Sequence, residues 1–140
     1  MQRIIAFVIA TIVFGLATNM SLAGESSAVL DSYLKVSDAL AKDDLAEAKS
    51  AAAGLAEVSK TEKQDVIATE AAKVAAATSI GAARKALKTV SAEAVKLAAG
   101  TEGFRVMTCP MVNADWVQKS TTIENPYMGK AMLDCGMEKK

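Results

Sequence analysis

The chain has 140 residues, with 16 basic and 16 acidic side chains and no histidine. This balance of charge gives no support to nucleic acid or an anionic membrane as a partner. Without histidine the chain lacks the usual general base of hydrolytic enzymes, and it has neither a Gly-rich phosphate loop nor a CxxC motif. We therefore predict that the protein is not an enzyme.

The N-terminal segment 1–23 has the pattern of a signal peptide. Arg3 supplies a positive start, Ile4 to Ala17 form an apolar run of 14 residues, and Ser21 to Ala23 form a small-x-small cleavage site. The run is short for a membrane span, which needs about 20 residues. We expect cleavage before Gly24, which leaves 15 basic and 16 acidic side chains on a periplasmic protein without a stable membrane anchor. The alternative is an uncleaved anchor.

Residues 24–103 are predicted to form an antiparallel bundle of about four helices, because apolar residues recur at steps of three and four. Asp43 or Asp44 should cap the second helix, Thr61 should open the third, and a break at Thr78 should precede the fourth. Alanine-rich faces suit close packing between these helices. The alternative is that one such face docks a helix of a partner protein.

The last segment, 104–140, differs in character and is predicted to be an irregular cap packed on the bundle, with at most a small strand pair. The predicted fold class is therefore all-α. This segment holds both cysteines and five of the seven methionines. Sulfur donors without imidazole suit Cu(I) and Ag(I) better than most other metals. The predicted ligands of a soft-metal site are Met107, Cys109, Met111, Met128, Met132 and Cys135.

The spacing of these six residues supports a site. The first three alternate along the chain, so they would share one face of an extended strand. The last three lie at i, i+4 and i+7, which is helical spacing. A turn at Asn125-Pro126 and a flexible joint at Gly129 would let the two groups face each other.

Other interpretations of the same residues stay open. Cys109 and Cys135 also fit a structural disulfide, because predicted export places them in an oxidising compartment, and free inert thiols are a third alternative. Methionines also fill hydrophobic cores. A tail closed by a disulfide would still offer methionine sulfurs to Cu(I). Trp116 is either the main anchor of a small core or an aromatic cover over a bound ion.

The C-terminal segment carries a recognisable series of motifs. It has Cys-Pro-Met at 109–111, Trp116, and the pattern I-x-N-P-Y-x-G-x-x-M-L-x-C-G over 123–136. It resembles the DUF3347 family of small periplasmic or envelope proteins, a domain also found at the end of some adaptor subunits of copper- and silver-exporting systems. The family usually has an aromatic residue after Tyr127, where this chain has Met128. The resemblance implies heavy-metal handling, with an efflux-system or copper-handling protein as partner.

These observations predict a periplasmic protein that binds Cu(I) or Ag(I) and buffers the ion or passes it to an efflux or assembly partner, in the manner of heavy-metal resistance proteins. The alternative function belongs to another class. It is an envelope protein-interaction module, closed by a disulfide between Cys109 and Cys135, that binds no metal.

Overall fold

The structure is a computed structural model that describes residues 22–140. The signal peptide predicted for residues 1–23 lies outside the described residues, apart from its last two, which begin the first helix. The helices are α1 (Leu22–Ala41), α2 (Leu45–Thr61), α3 (Asp65–Ala75) and α4 (Ile80–Ala98). The strands are β1 (Arg105–Cys109), β2 (Ala114–Gln118) and β3 (Met137–Glu138), with a single 3-10 turn at Gly129–Ala131. None of the helices in the described part is long and apolar enough to cross a membrane.

Side-chain caps fix two of the predicted helix starts. The Asp44 carboxylate accepts a hydrogen bond from the Glu47 N–H at 2.9 Å at the start of α2. The Ser79 hydroxyl accepts one from the Ala82 N–H at 3.2 Å at the start of α4. Each cap satisfies a backbone donor that the first helical turn leaves without a partner. The predicted cap at Asp44 and the predicted break near Thr78 are therefore confirmed.

The predicted start of the third helix at Thr61 is wrong. The second helix continues to Thr61, and α3 begins only at Asp65. Lys63 has a left-handed backbone with a φ of 56°, and the Gln64 N–H donates to the Ser59 carbonyl at 2.7 Å. This turn reverses the chain after Thr61 without a glycine to signal it.

The predicted fold class is correct for the bundle and wrong for the cap. Four helices make up 57% of the structure, but the C-terminal segment also forms a three-stranded antiparallel sheet in the order β2-β1-β3. Residues 114–118 form β2 and pair with β1, and Met107 lies opposite Trp116. The fold is therefore a helical bundle with a small sheet, not purely all-α.

The helices and the C-terminal segment share one hydrophobic core, which includes Trp116, Val117 and Tyr127 from the segment. A buried polar group joins the two parts. The Ser91 hydroxyl on α4 lies 2.7 Å from the Tyr33 hydroxyl and 2.8 Å from the Tyr127 hydroxyl. Burial raises the pKa of Tyr33 to about 12, so this phenol keeps its proton and serves as a hydrogen-bonding group.

Arg84 on α4 fastens the loop before the 3-10 turn to the end of α1. Its guanidinium donates to the Pro126 carbonyl at 2.7 Å, to the Leu40 carbonyl at 2.8 Å and to the Asp43 carboxylate at 2.5 Å. Gly129 passes directly over this group with a φ of 58°, and a Cβ built there would overlap the Arg84 and Asp43 side chains. The close approach and the left-handed backbone together require glycine at this position.

The Asp43 contact makes stability depend on pH. The hydrogen bond from Arg84, followed by that from the Lys130 backbone N–H, lowers the pKa of Asp43 below its ordinary value in the folded state. The stabilisation is therefore complete above the ordinary carboxyl pKa of about 3.9 and is lost as pH falls through the lowered folded value.

We expect the wild type to melt at a higher temperature than Asp43→Asn at pH 7, because the neutral amide lacks the charge that pairs with Arg84. The difference should shrink as the pH is lowered from 5 to 2, since the Asp43 carboxylate becomes protonated first in the unfolded chain and then in the folded protein. Thermal melts of both proteins across this range measure it. A difference in midpoint that stays constant down to pH 2 would show that the ion pair does not contribute.

Candidate functional site

Three sulfur atoms meet at the edge of the cap. The Sγ of Cys109 lies 3.0 Å from the Sγ of Cys135, and the Sγ of Cys135 lies 3.6 Å from the Sδ of Met111. Both cysteines are free thiols in the structure. We call Cys109, Cys135 and Met111 the sulfur cluster. It joins residues from both groups that the sequence spacing predicted to face each other.

The sulfur cluster runs from the protein interior to its surface. Cys109 is fully buried, Cys135 is partly buried, and Met111 is 65% exposed. A ligand therefore reaches Cys135 and Met111 from solvent before it reaches Cys109. An ion held by the cluster would have one exchangeable donor on the solvent side and one shielded donor inside.

The turn between β1 and β2 provides polar contacts for the Cys109 sulfur. Burial works to raise the pKa of this thiol, but hydrogen bonds from the Cys135 thiol and from the backbone N–H groups of Val112 and Met111 outweigh it and lower the pKa. The turn is tight because Asn113 adopts a left-handed backbone with a φ of 47° and its N–H donates to the Pro110 carbonyl at 3.3 Å. Cys109 is consequently the thiol of the pair that ionises first.

The pKa of Cys135 shifts in the opposite direction. Its hydrogen bond to Cys109 raises the pKa of the Cys135 thiol, because losing this proton would leave two negative sulfurs in contact. Of the two thiols, Cys109 therefore loses its proton before Cys135 as the pH rises. A cation placed between the sulfurs would replace the shared proton, so metal binding should release protons.

Gly136, the residue after Cys135, lies against the ring of Trp116. Gly136 has a φ of 152°, and a Cβ built on it would lie 2.6 Å from Cη2 of Trp116 and 3.0 Å from the Thr108 carbonyl oxygen. Only glycine lets the chain pass this close to the ring. Trp116 is fully buried, donates to the Gln118 side chain at 3.0 Å and meets the Tyr127 ring edge-on at 6.4 Å, as expected of a core anchor. Its predicted alternative role as a cover over a bound ion stays a prediction.

The strand and helix expected to carry the sulfurs are shorter than predicted. β1 ends at Cys109, so Met111 reaches Cys135 from the following turn and not from an extended strand. Of the short helix or turn expected after Gly129, the chain makes a single 3-10 turn, which leaves Met132 and Cys135 outside regular structure. The Cys135 N–H instead donates to the Met132 carbonyl at 3.1 Å.

The other predicted ligands take different positions. Met107 is buried on the same face of β1 as Cys109, two residues before it. Met128 is partly buried, and its backbone N–H donates to the Asn125 side chain at 3.2 Å. Met132 is 39% exposed at the end of the 3-10 turn. Among the described contacts, Met111 is the methionine whose sulfur meets the cysteine pair.

The donor set of the sulfur cluster fits a soft monovalent ion. Two thiol sulfurs and one thioether sulfur are ligands that select Cu(I), whereas carboxylate and carbonyl oxygens suit harder ions. Across residues 22–140 there is no group of three or more His, Cys, Asp or Glu side chains able to hold a metal. The cysteine sulfurs lie 3.0 Å apart and would have to separate to admit an ion between them.

Sequence reasoning treated Asn125 only as part of a turn and did not single out Arg84. Asn125 is fully buried beside the sulfur cluster, and its side chain donates to the Cys135 carbonyl at 2.5 Å. Arg84 is the one arginine in α4 and stands among its lysines, which was a weak signal of a fixed, bidentate role. The Cys135 partner of Asn125 and the partners of Arg84 are distant in sequence, so spacing along the chain does not predict them.

A comparison with known protein families finds a match for the helical part of the chain. Residues 29–105, more than half of the chain, match the model of a protein family of unknown function, DUF3347. The chain therefore belongs to the DUF3347 family. The matched residues are those of the helices and end at the first residue of β1, whereas the resemblance was drawn from motifs in the cap. No curated protein and no solved structure matches the chain.

Proposed function

We propose that this protein binds Cu(I) or Ag(I) through the sulfur cluster, in the periplasm, after removal of residues 1–23. The observation that carries the proposal is the meeting of Cys109, Cys135 and Met111 within 3.0 and 3.6 Å contacts. Cys109 and Met111 lie close together in sequence, at the end of β1 and in the turn after it, whereas Cys135 joins them from the C-terminal loop, 24 residues after Met111.

The proposed role is to buffer the ion or to pass it to an efflux-system or copper-handling partner. Support for transfer comes from the gradient of exposure, from the buried Cys109 to Met111 at 65% exposed. A partner sulfur could replace the exposed thioether first and the inner thiolate last, so the ion would never be released to solvent. Thioether ligands lose no proton, so the departure of Met111 in this first exchange does not itself depend on pH.

A second candidate function has a specific observation in its favour. The 3.0 Å separation of the two cysteine sulfurs also suits oxidation to a disulfide, which would close the cap onto itself. The protein would then be a stapled interaction module that binds no metal. Counting free thiols of the exported protein, before and after reduction, distinguishes this state from a dithiol.

The contribution of the thioether is tested by Met111→Leu, which keeps the size and loses the sulfur. We expect the reduced variant to bind Cu(I) about tenfold more weakly than wild type, a change of about 1.4 kcal/mol. The measurement is competition with a chromogenic Cu(I) chelator under anaerobic conditions.

Met137→Leu is the matched control, because Met137 is 56% exposed and lies opposite Thr108, on the face of the sheet away from Cys109. It should bind Cu(I) like wild type. Equal losses in the two variants would remove Met111 from the site.

A further inference from the structure

Asn125 is a polar hub with no exposed surface. Its side-chain oxygen accepts hydrogen bonds from the N–H groups of Tyr127 at 2.8 Å and Met128 at 3.2 Å, and its side-chain nitrogen donates to the Cys135 carbonyl at 2.5 Å. Its backbone N–H donates to the Leu133 carbonyl at 2.8 Å, and its own carbonyl accepts from the Gly129 N–H at 3.0 Å. Every strong hydrogen-bonding group of this residue is thus used.

These bonds act on a stretch that little else holds. Between the 3-10 turn and β3 the chain has no regular structure, and β3 itself is only two residues long. The Cys135 N–H bonds locally to Met132, so the bond from Asn125 is the polar contact that ties the Cys135 backbone to a distant part of the chain. Asn125 is hydrogen-bonded to the loop at Leu133 and again at Cys135. These two bonds fix the direction in which the Cys135 side chain leaves the loop.

We propose that Asn125 is the positioning residue of the sulfur cluster: its buried amide holds the Cys135 thiol against Cys109. Its local hydrogen bonds, from the N–H groups of Tyr127 and Met128, shape the turn at 125–128, as asparagine side chains often do. Its distant hydrogen bonds, to the carbonyls of Cys135 and Leu133, set the effective concentration of the Cys135 thiol at Cys109. The consequence for metal binding rests on the proposed function, whereas the consequence for the thiol pair does not.

Asn125→Asp keeps the local bonds and removes the bond to Cys135; because the Asn125 side chain also hydrogen-bonds the Cys109 thiol, the added charge acts there too, and the uncharged Asn125→Ser variant controls for it. A carboxylate still accepts from the Tyr127 and Met128 N–H groups, so the turn is kept. It has no proton to donate to the Cys135 carbonyl and sets an oxygen against an oxygen there. Asn125→Ser is a second variant, since its hydroxyl supports the same type of turn but is too short to reach Cys135.

Tyr127→Phe is the matched control. It removes a hydroxyl that contacts Ser91 at 2.8 Å and the Asp115 carbonyl at 3.1 Å, and it leaves every bond of Asn125 in place. It therefore perturbs the packing of the same loop on the bundle without touching the contact to Cys135. Thermal melts of all variants identify the temperature at which each is folded.

The first readout needs no metal. In a glutathione buffer, the Cys109 and Cys135 thiols pass two electrons and two protons to one oxidised glutathione, which leaves as two reduced molecules, and a protein disulfide forms. The equilibrium constant of this reaction reports how closely the two thiols are held. We expect it to fall about tenfold in Asn125→Asp and Asn125→Ser, and to stay within about twofold of wild type in Tyr127→Phe.

The second readout is Cu(I) affinity of the reduced proteins, which should fall in the Asn125 variants by a similar factor and stay unchanged in Tyr127→Phe. An unchanged disulfide equilibrium in folded Asn125 variants would overturn the proposal, as would an equal fall in Tyr127→Phe. If the disulfide equilibrium shifts as expected but wild type binds no Cu(I), the positioning role stands and the proposed function fails.

Discussion

Replacing Cys109 and Cys135 together by serine should lower Cu(I) affinity by a hundredfold or more, about 2.8 kcal/mol. Serine keeps the size of each side chain but exchanges a soft sulfur for a hard hydroxyl oxygen, which Cu(I) binds poorly. Only the Met111 thioether of the sulfur cluster would remain. Anaerobic competition with a chromogenic Cu(I) chelator measures the loss, and circular dichroism verifies that the variant is folded.

The single variants refine this result. Cys135→Ser should lose more of its binding in weak acid than at pH 8, because the remaining Cys109 must be deprotonated to bind the ion. Met107→Leu is a control that changes another sulfur on the same face of β1, two residues from Cys109. Cu(I) affinity that is unchanged in the double serine variant would rule out a thiolate site and leave binding to methionine alone.

Replacing Arg84 by alanine should destabilise the protein by about 2–4 kcal/mol, since the Leu40 and Pro126 carbonyls would lose their charged donor inside the protein. The loop from Pro126 to Gly129 would also lose its attachment to α1. Chemical denaturation of the reduced protein, followed by far-UV circular dichroism, gives the free energy of unfolding.

Lys85→Ala is the matched control for Arg84, because Lys85 is the next residue of α4 and its side chain is exposed. It should change the free energy of unfolding by less than about 0.5 kcal/mol. An Arg84 variant as stable as the Lys85 variant would contradict the view that this guanidinium joins the cap to the bundle.

The helices could be predicted because local rules determine them. The apolar stripe of α1, with Leu30, Tyr33 and Leu40 all fully buried, follows directly from helical spacing. The caps at Asp44 and Ser79 follow from the preference of short polar side chains for these positions. Helical spacing does not decide every position of α3, since Val66 and Ile67 are both apolar, yet Val66 is 52% exposed and Ile67 is buried. The packing of α3 against the neighbouring helices decides which of these apolar side chains is buried.

The small sheet could not be predicted because its pairing is not local. Ala114 to Gln118 lack the alternation of a half-buried strand, and all of Trp116, Val117 and Gln118 are buried. Their burial comes from the helices on one side and from the C-terminal loop on the other, and neither neighbour is adjacent in sequence. β3 is too short to carry a periodic signal at all.

The composition of the candidate site was accessible from sequence, but its geometry was not. Soft donors concentrated in the cap directed attention to Cys109, Cys135 and Met111, which the structure brings together. The same composition gave equal weight to Met128 and Met132, whose sulfurs have no described contact with the cysteine pair. Which methionine reaches the pair depends on the turn at Asn113 and on the hydrogen bonds of Asn125, and both are tertiary features.

The most direct test of the proposed function is to titrate the fully reduced wild-type protein with Cu(I) and, separately, with Zn(II). X-ray absorption should then be recorded on the Cu(I) form. We predict one tightly bound Cu(I) per chain in a shell made only of sulfur, and Zn(II) bound far more weakly, because the site offers no imidazole and few further donors. Absence of Cu(I) binding by the reduced protein, or a shell of nitrogen and oxygen, would contradict the proposal and leave the disulfide-closed interaction module in its place.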